Sequence, residues 1–408
     1  LKKNKIKSLI LFHHQIQKPF PKANFIINPC KDNGYKKFDY LCATALTYFF
    51  LDLVIKKMKL NLKINDFLIY VLLATVCDVM PLRKLNRLIA IHALKNFDIY
   101  KNKIFREIYN LNKKKNKISI NDLGFMIGPI LNAGGRLGKS DYACDLLSSV
   151  DDNEIKKISL DLFKLNEKRR LIENNIIKEI DFNTINKHKN FILLYKNNIN
   201  EGLIGIIAAR LKDFFNKPSI VITNSGNVLK ASARSIYGIN IGLIIQNAVQ
   251  KKILLKGGGH TMAAGFSLTK DMVDKFTSFL NQSISVKSLK IDRSFKFISK
   301  ISSSNLNKQF YAEIKKLEPF GNGNMEPIFL FEKLKILRPR IIKNKHISCI
   351  LKSNIDYTID SFSFNSIDTN IGNYLLNYKK ELSVVGQIKE NIWNNKSSLQ
   401  LIIKDLFV

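Results

Sequence analysis

The chain has 408 residues, of which 46% are hydrophobic and 24% charged, enough for about two to four domains and too apolar for wholesale disorder. Its most apolar run, Phe67–Cys77, falls short of the roughly 18–20 residues that span a bilayer, and the apolar opening segment stops at His13–His14, too early for a secretory leader, so no membrane association is expected. The formal charge is +33, from 66 Lys and Arg against 33 acids; such a surplus favours polyanions through counterion release, although the over-use of Lys, Asn, Ile and Phe also fits AT-rich codons.

Along the chain, Lys7–Phe12 and Asn24–Asn28 read as strands, and Leu41–Lys57 and Phe67–Val79 as helices. A helix of about 30 residues, long enough to join two domains, is predicted from Asp151 to about Ile180. Ile155, Ile158, Leu162, Leu165, Ile172 and Ile176 follow a 3–4 spacing interrupted by Arg169, and Asp151 with Glu154 resembles a capping box. A second α/β unit follows, with strands at Phe191–Lys196, Ser219–Thr223 and Val228–Ser235 and helices at Leu203–Phe215, Ile241–Lys251 and Lys270–Leu280. Beyond a Pro/Gly-rich turn at Pro319–Pro327, five short β-rich segments between Ile328 and Lys404 suit a small barrel. The predicted fold is α/β and multidomain, with units at 1–150, 151–185, 186–285 and 286–408. Five scattered cysteines without a C-x-x-C pair exclude a zinc ribbon or a disulfide framework and suit a reducing cytosol.

Six segments carry residues suited to chemistry. An apolar strand ends in His13-His14, where one imidazole can bind a metal while the other faces a substrate; a structural histidine pair is the alternative. Asp78 interrupts an apolar run, and a buried carboxylate needs a strong partner, either a divalent cation or a backbone cap. Arg136 follows Gly134-Gly135, a plausible phosphate contact or a tight helix–loop junction. Glycines open the apolar helix that runs to Arg210, an anion-favouring terminus or a packing feature. Ser232 and Arg234, two apart on a strand, point to one face and suit a terminal phosphate. Gly257-Gly258-Gly259 before His260 reads as a ligand-facing loop, because three glycines in a linker cost folding entropy.

In this order the segments resemble the RecJ family of single-strand-specific exonucleases, within the DHH phosphoesterase superfamily. The resemblance rests on Ile27-Asn-Pro29, Asp78-Val-Met-Pro81 with Asn86-Arg87, Leu131-Asn-Ala-Gly-Gly-Arg136, Gly205 to Arg210, Ser232-Ala-Arg-Ser235, Gly258-Gly-His260 and Leu317-Glu-Pro-Phe-Gly-Asn-Gly-Asn324. It implies part of a DHH domain, a long connecting helix, a DHH-associated domain and a C-terminal OB-type barrel. It also implies 5′→3′ hydrolysis of single-stranded DNA to mononucleotides with two Mn²⁺ or Mg²⁺ ions. By the same resemblance His13 is a metal ligand, His14 contacts the scissile phosphate, and Asp78 is shared between metals. Arg136, Ser232 and Arg234 hold the 5′-terminal phosphate, His260 lines the substrate side, and Asn132, Gly258 and Gly259 are further substrate-binding residues. Tyr357, Phe362, Phe364 and Trp393 are candidate stacking aromatics, each also a candidate core residue. Single-stranded DNA is the implied partner of a cytoplasmic monomer, with a single-strand-binding protein or a helicase left open.

The departures from the family pattern are specific. The Asp-x-Asp strand and a further Asp that precede the histidines have no counterpart, and Phe12 stands where the family has Asp. Ile199-Asn200 replaces Trp-His, and Ala43 and Ala45 replace two helix glycines. The chain is therefore expected to be a piece of a longer protein or the product of a decaying gene, with little or no nuclease activity. Other readings are a phosphodiesterase for oligonucleotides or cyclic dinucleotides, against which the terminal barrel counts, and a non-catalytic single-strand binder.

Overall fold

The computed structural model describes residues 6–14, 21–31, 33–181, 185, 188–284, 296–393 and 396–408. The chain forms two compact units, one built from Leu1–Phe97 with Ser294–Val408 and the other from Asp98–Arg293.

In the first unit, β1 (Leu9–Leu11) and β2 (Phe25–Ile27) pair in parallel. Helices α1 (Ala43–Met58), α2 (Leu68–Cys77) and α3 (Lys84–Asn96) follow. The continuous apolar run makes α2 a helix buried nearly all round, through Leu68, Ile69, Val71, Leu72, Leu73 and Thr75. It stops at Cys77, and Asp78 takes the C-cap position. That corrects the expectation of a buried carboxylate: the Asp78 side chain is 45% exposed, because the helix ends one residue before it and the chain turns outward.

The second unit begins with α4 (Lys103–Leu111) and a series of short helical turns from Ile120 to Arg136. The long helix α5 (Asp152–Lys178) forms as its spacing predicts, and the Asp151 side chain accepts from the Glu154 N–H at 2.8 Å. A five-stranded sheet follows in the order β3-β4-β5-β7-β6, comprising β3 (Ile192–Tyr195), β4 (Ser219–Ser225), β5 (Val228–Arg234), β6 (Lys256–His260) and β7 (Ala263–Leu268). Helix α6 (Glu201–Phe215) covers one face with Leu203, Ile204 and Ile207 against Val221. Helices α7 (Ile241–Gln250) and α8 (Val273–Ser283) cover the other, over Ile220, Ile222, Ala231 and Ala233. The triple-glycine segment is β6, an edge strand and not a loop. Gly257 and Gly259 are packing residues: a Cβ on Gly259 would lie 2.3 Å from the Ala263 carbonyl oxygen, and one on Gly257 2.7 Å from Ile245 Cγ2.

The C-terminal part of the first unit is a closed barrel. β9 (Phe329–Ile342), β10 (His346–Ser353), β11 (Thr358–Ser363), β12 (Leu382–Trp393) and β13 (Lys396–Phe407) run in the order β10-β11-β13-β12-β9, and β9 also pairs with β10. The short β8 (Ser299–Lys300) adds to β9 in parallel. The β11–β13 pair is parallel, the others in the ring antiparallel. Period-2 alternation fills the interior with Phe331, Leu334, Ile347, Leu351, Val384 and Leu401. Among the described residues no helix is long and apolar enough to cross a membrane.

Candidate functional site

Two groups of expected residues assemble, one in each unit. In the first, the end of β1 places His13 at the start of α1, where the Ala43 N–H donates to His13 Nδ1 at 3.1 Å. The ring is 11% exposed, and its Nε2 faces Asp78 Oδ2 at 3.7 Å. The His14 ring leans on that of His13 with centroids 4.2 Å apart, and its carbonyl accepts from the buried Asn28 amide at 2.9 Å. Burial, then the neighbouring Asp78 charge, push the Cys77 thiol up to about 11, so it stays protonated at neutral pH and is no nucleophile.

This pair does not fit a two-metal centre. A donor N–H at Nδ1 leaves the imidazole proton on Nε2, the nitrogen turned toward Asp78, whereas a metal there needs that lone pair. Among the described residues no three His, Cys, Asp or Glu side chains gather where they could hold an ion. The histidine and the carboxylate sit as a polar pair.

The Asp78 loop is held by a strap just before the barrel. The Leu82 N–H donates to the Asn322 carbonyl at 2.6 Å, the Asn322 amide to the Val79 carbonyl at 2.5 Å, and Arg87 to the Glu318 carbonyl at 3.2 Å. Asn86, fully buried, donates to the carbonyls of Tyr40 and Pro81. Val79 has φ +55°, a left-handed conformation that costs a β-branched residue energy and persists only where neighbours fix it.

In the second unit the sheet register builds a shallow trough. Ser232 lies opposite Gly265, which lies opposite Gly258; one step on, Arg234 lies opposite Ala263, which lies opposite His260. Residues opposite each other share a sheet face, so Ser232, Arg234, Gly258 and His260 come together on the α6 side, over a floor of small residues. Arg234 donates to Ser232 Oγ at 3.0 Å and lies across Gly205, where a Cβ would meet its guanidinium at 2.9 Å. Arg136 donates to the Gly202 carbonyl at 2.9 Å, and a Cβ on Gly202 would stand 2.4 Å from the Arg136 carbonyl oxygen. The two glycines of α6 therefore admit two arginines to its first turns, where the helix dipole adds positive potential. Gly259 faces α7 instead, and Asn132 is exposed at the preceding turn.

The electrostatics are one-sided. Burial, then the Arg136 charge, pull the Arg234 guanidinium below its ordinary value; burial lowers Arg136 as well, opposed by Glu173. Both stay charged, as arginine does in proteins. The nearby carboxylate, Glu173 of α5, is 3% exposed and engages Arg210 at 2.5 Å and Arg169 at 3.4 Å. Four guanidiniums and one acid leave a net positive cluster suited to a phosphate. Sequence reasoning missed Glu173 and the pairing role of Arg169; the signal was the i, i+4 Arg169–Glu173 spacing on an otherwise apolar stripe.

In the barrel, Tyr357 packs on the core and donates its hydroxyl to the Leu306 carbonyl at 3.0 Å. The Trp393 side chain lies outside the described residues.

Residues 188–286 match the DHHA1 domain and residues 299–405 the RecJ OB domain. Over 99% of its length the chain is 28% identical to the single-stranded-DNA-specific exonuclease RecJ of Haemophilus influenzae, covering 74% of that protein. The chain is similar to RecJ over nearly its whole length. RecJ of Bacillus subtilis is 27% identical over 98% of the chain, which spans 51% of it. The fold agrees with the crystal structure of Thermus thermophilus RecJ in complex with Mn²⁺, at a TM-score of 0.84 and 22% identity, over 99% of this chain and 58% of that one. RecJ from the same source has also been solved with Mg²⁺. The chain thus spans about three-quarters of the Haemophilus influenzae RecJ and about half of the Bacillus subtilis one.

Proposed function

We propose that the chain binds the 5′-terminal phosphate of single-stranded DNA, as the end-recognition part of a RecJ-type 5′→3′ exonuclease that releases mononucleotides in DNA repair and recombination. The observation that carries this reading is the trough of Ser232, Arg234 and Arg136 at the first turns of α6. A phosphate monoester presents three acceptor oxygens and nearly two charges, and two guanidiniums, a hydroxyl and a helix terminus match both. An internal diester carries one charge and cannot enter as an end. Polarity follows, because a strand held by its 5′ phosphate leads with that end. His260, on the same sheet face as Arg234, lines the path of the first nucleotides, with Gly258 beneath and Asn132 at the rim.

We assign to His13 and Asp78 a polar pair, with His14 beside it, and no hydrolytic step. Two donors of which one carries its proton inward do not assemble the Mn²⁺ or Mg²⁺ pair of a nuclease. The chain by itself is therefore expected to bind single strands and release few or no nucleotides. The test is nucleotide release from a 5′-phosphorylated single strand in Mn²⁺, with Asp78→Ala as control. Release near background in both is predicted; robust turnover abolished by Asp78→Ala would refute the assignment. Competition by long single strands and by dinucleotides separates this reading from a dinucleotide phosphodiesterase. Only the long strands gain from the barrel, so they should compete better.

A further inference from the structure

A terminal-phosphate site in a stepwise exonuclease faces a problem of release. Hydrolysis at the first internal diester, with cleavage of its P–O3′ bond, leaves a new 5′ phosphate on the shortened strand. The freed mononucleotide keeps the 5′ phosphate by which it was held, so it competes for the site with the end that must enter next. A partly buried cluster of guanidiniums holds such a phosphate tightly, because charge-assisted hydrogen bonds strengthen as water is excluded.

A counter-charge stands where it moderates that grip. Glu173 lies on α5, which packs against both the Arg136 turn and α6. A Cβ on Gly134 would meet Leu162 of α5 at 3.3 Å, and Asn174 accepts from Arg210 at 2.8 Å. The carboxylate is 3% exposed and divides its oxygens, Oε1 to Arg210 and Oε2 to Arg169. Its charge reaches beyond those pairs. Burial lowers the guanidiniums of Arg136 and Arg169, with Arg170, Arg136 and Arg210 adding to the effect at Arg169, and Glu173 opposes the change at both. Glu201, at the start of α6, is also acidic, but it is 42% exposed and paired with Lys230, so water and that lysine screen it. A buried carboxylate is screened far less. We propose that Glu173 sets the strength of terminal-phosphate binding, as a fixed anion that weakens the hold of the trough and lets the mononucleotide leave. The inference rests on the end-recognition reading and adds to it a positioning residue that acts through the arginines.

The test uses the full chain in EDTA with 3′-labelled oligothymidylate carrying a 5′ phosphate or a 5′ hydroxyl, and reads the ratio of the two dissociation constants. A loss of folded fraction scales both constants alike and leaves the ratio unchanged. Glu173→Gln, which removes the charge and keeps the shape, should raise the preference for the phosphorylated strand by about a further tenfold. Thymidine 5′-monophosphate should compete about tenfold better against this variant than against wild type, and thymidine no better. Glu173→Asp, one methylene shorter but still charged, should keep the ratio near the wild-type value. If Glu173→Gln fails to fold, Glu173→Gln/Arg210→Gln replaces the pair as a unit. It should raise the ratio likewise, because the charge lost with Arg210 is 45% exposed. An unchanged or lowered ratio in the folded Gln variant would overturn the inference, since a carboxylate that only braces the arginines weakens phosphate binding when it is removed. In that case wild type keeps a preference that Arg234→Ala abolishes. Failure of the end-recognition reading looks different: the ratio is close to one in wild type, Arg234→Ala and Glu173→Gln alike.

Discussion

Glu173 is the residue on which the arginine cluster turns. It is 3% exposed and satisfied by Arg169 and Arg210, and a buried acid with paired partners destabilises the fold when either side is removed. Glu173→Gln should lower stability by about 2 kcal/mol, read as a fall in the urea midpoint at unchanged slope; an unchanged midpoint would show that the pairs contribute nothing. Asp122 makes a second, pH-dependent contribution. Burial raises its pKa, but hydrogen bonds from Ser119 and Lys114, with the Lys114 charge, outweigh that and hold the carboxyl below its ordinary value. A depressed folded-state pKa stabilises above the unfolded value of about 4 and is lost as pH falls through the folded value. Wild type should therefore lose more stability than Asp122→Asn on going from pH 5 to pH 3, and equal losses would contradict this. At this scale the sequence was partly legible. Ser232 and Arg234 on one strand face follow from period 2, but whether Asp78 was buried depended on where α2 ended, and an apolar run does not mark its own last residue.

The elements position these side chains by close backbone approach. Helix α6 meets the Arg136 turn through Gly202, and a Cβ there would stand 2.4 Å from a carbonyl oxygen. A backbone contact has no rotamer with which to yield, so Gly202→Ala must shift the helix or the turn. Such overpacking costs roughly 1–3 kcal/mol, and Gly202→Ala should also weaken binding of 5′-phosphorylated strands more than of 5′-hydroxyl strands. An equal loss for both would mean that the glycine serves packing alone. Most elements were readable in advance: the long helix, the alternation of β5 and the barrel strands all follow simple periods. The triple glycine was not, because glycine carries no periodicity, and its β pairing depends on β7 and α7 closing around it. The strap of Asn322 on the Val79–Leu82 loop lies beyond any local pattern, since its partners are more than 200 residues apart in the chain.

Across the whole molecule, the two units carry two different clusters of polar side chains. One holds the polar pair of His13 and Asp78 and the barrel; the other holds the arginine trough. A formal charge of +33 draws any nucleic acid, so affinity by itself says little about the trough. The discriminating quantity is a ratio that cancels the general electrostatic attraction. The measurement is the dissociation constant of the full chain for a 5′-phosphorylated single strand against its 5′-hydroxyl twin, in EDTA, for wild type and Arg234→Ala. Wild type should favour the phosphorylated strand by about tenfold, the equivalent of one charged, hydrogen-bonded contact, and Arg234→Ala should bring the ratio close to one. A wild-type ratio of one, or a preference that survives Arg234→Ala, would contradict end recognition by this trough.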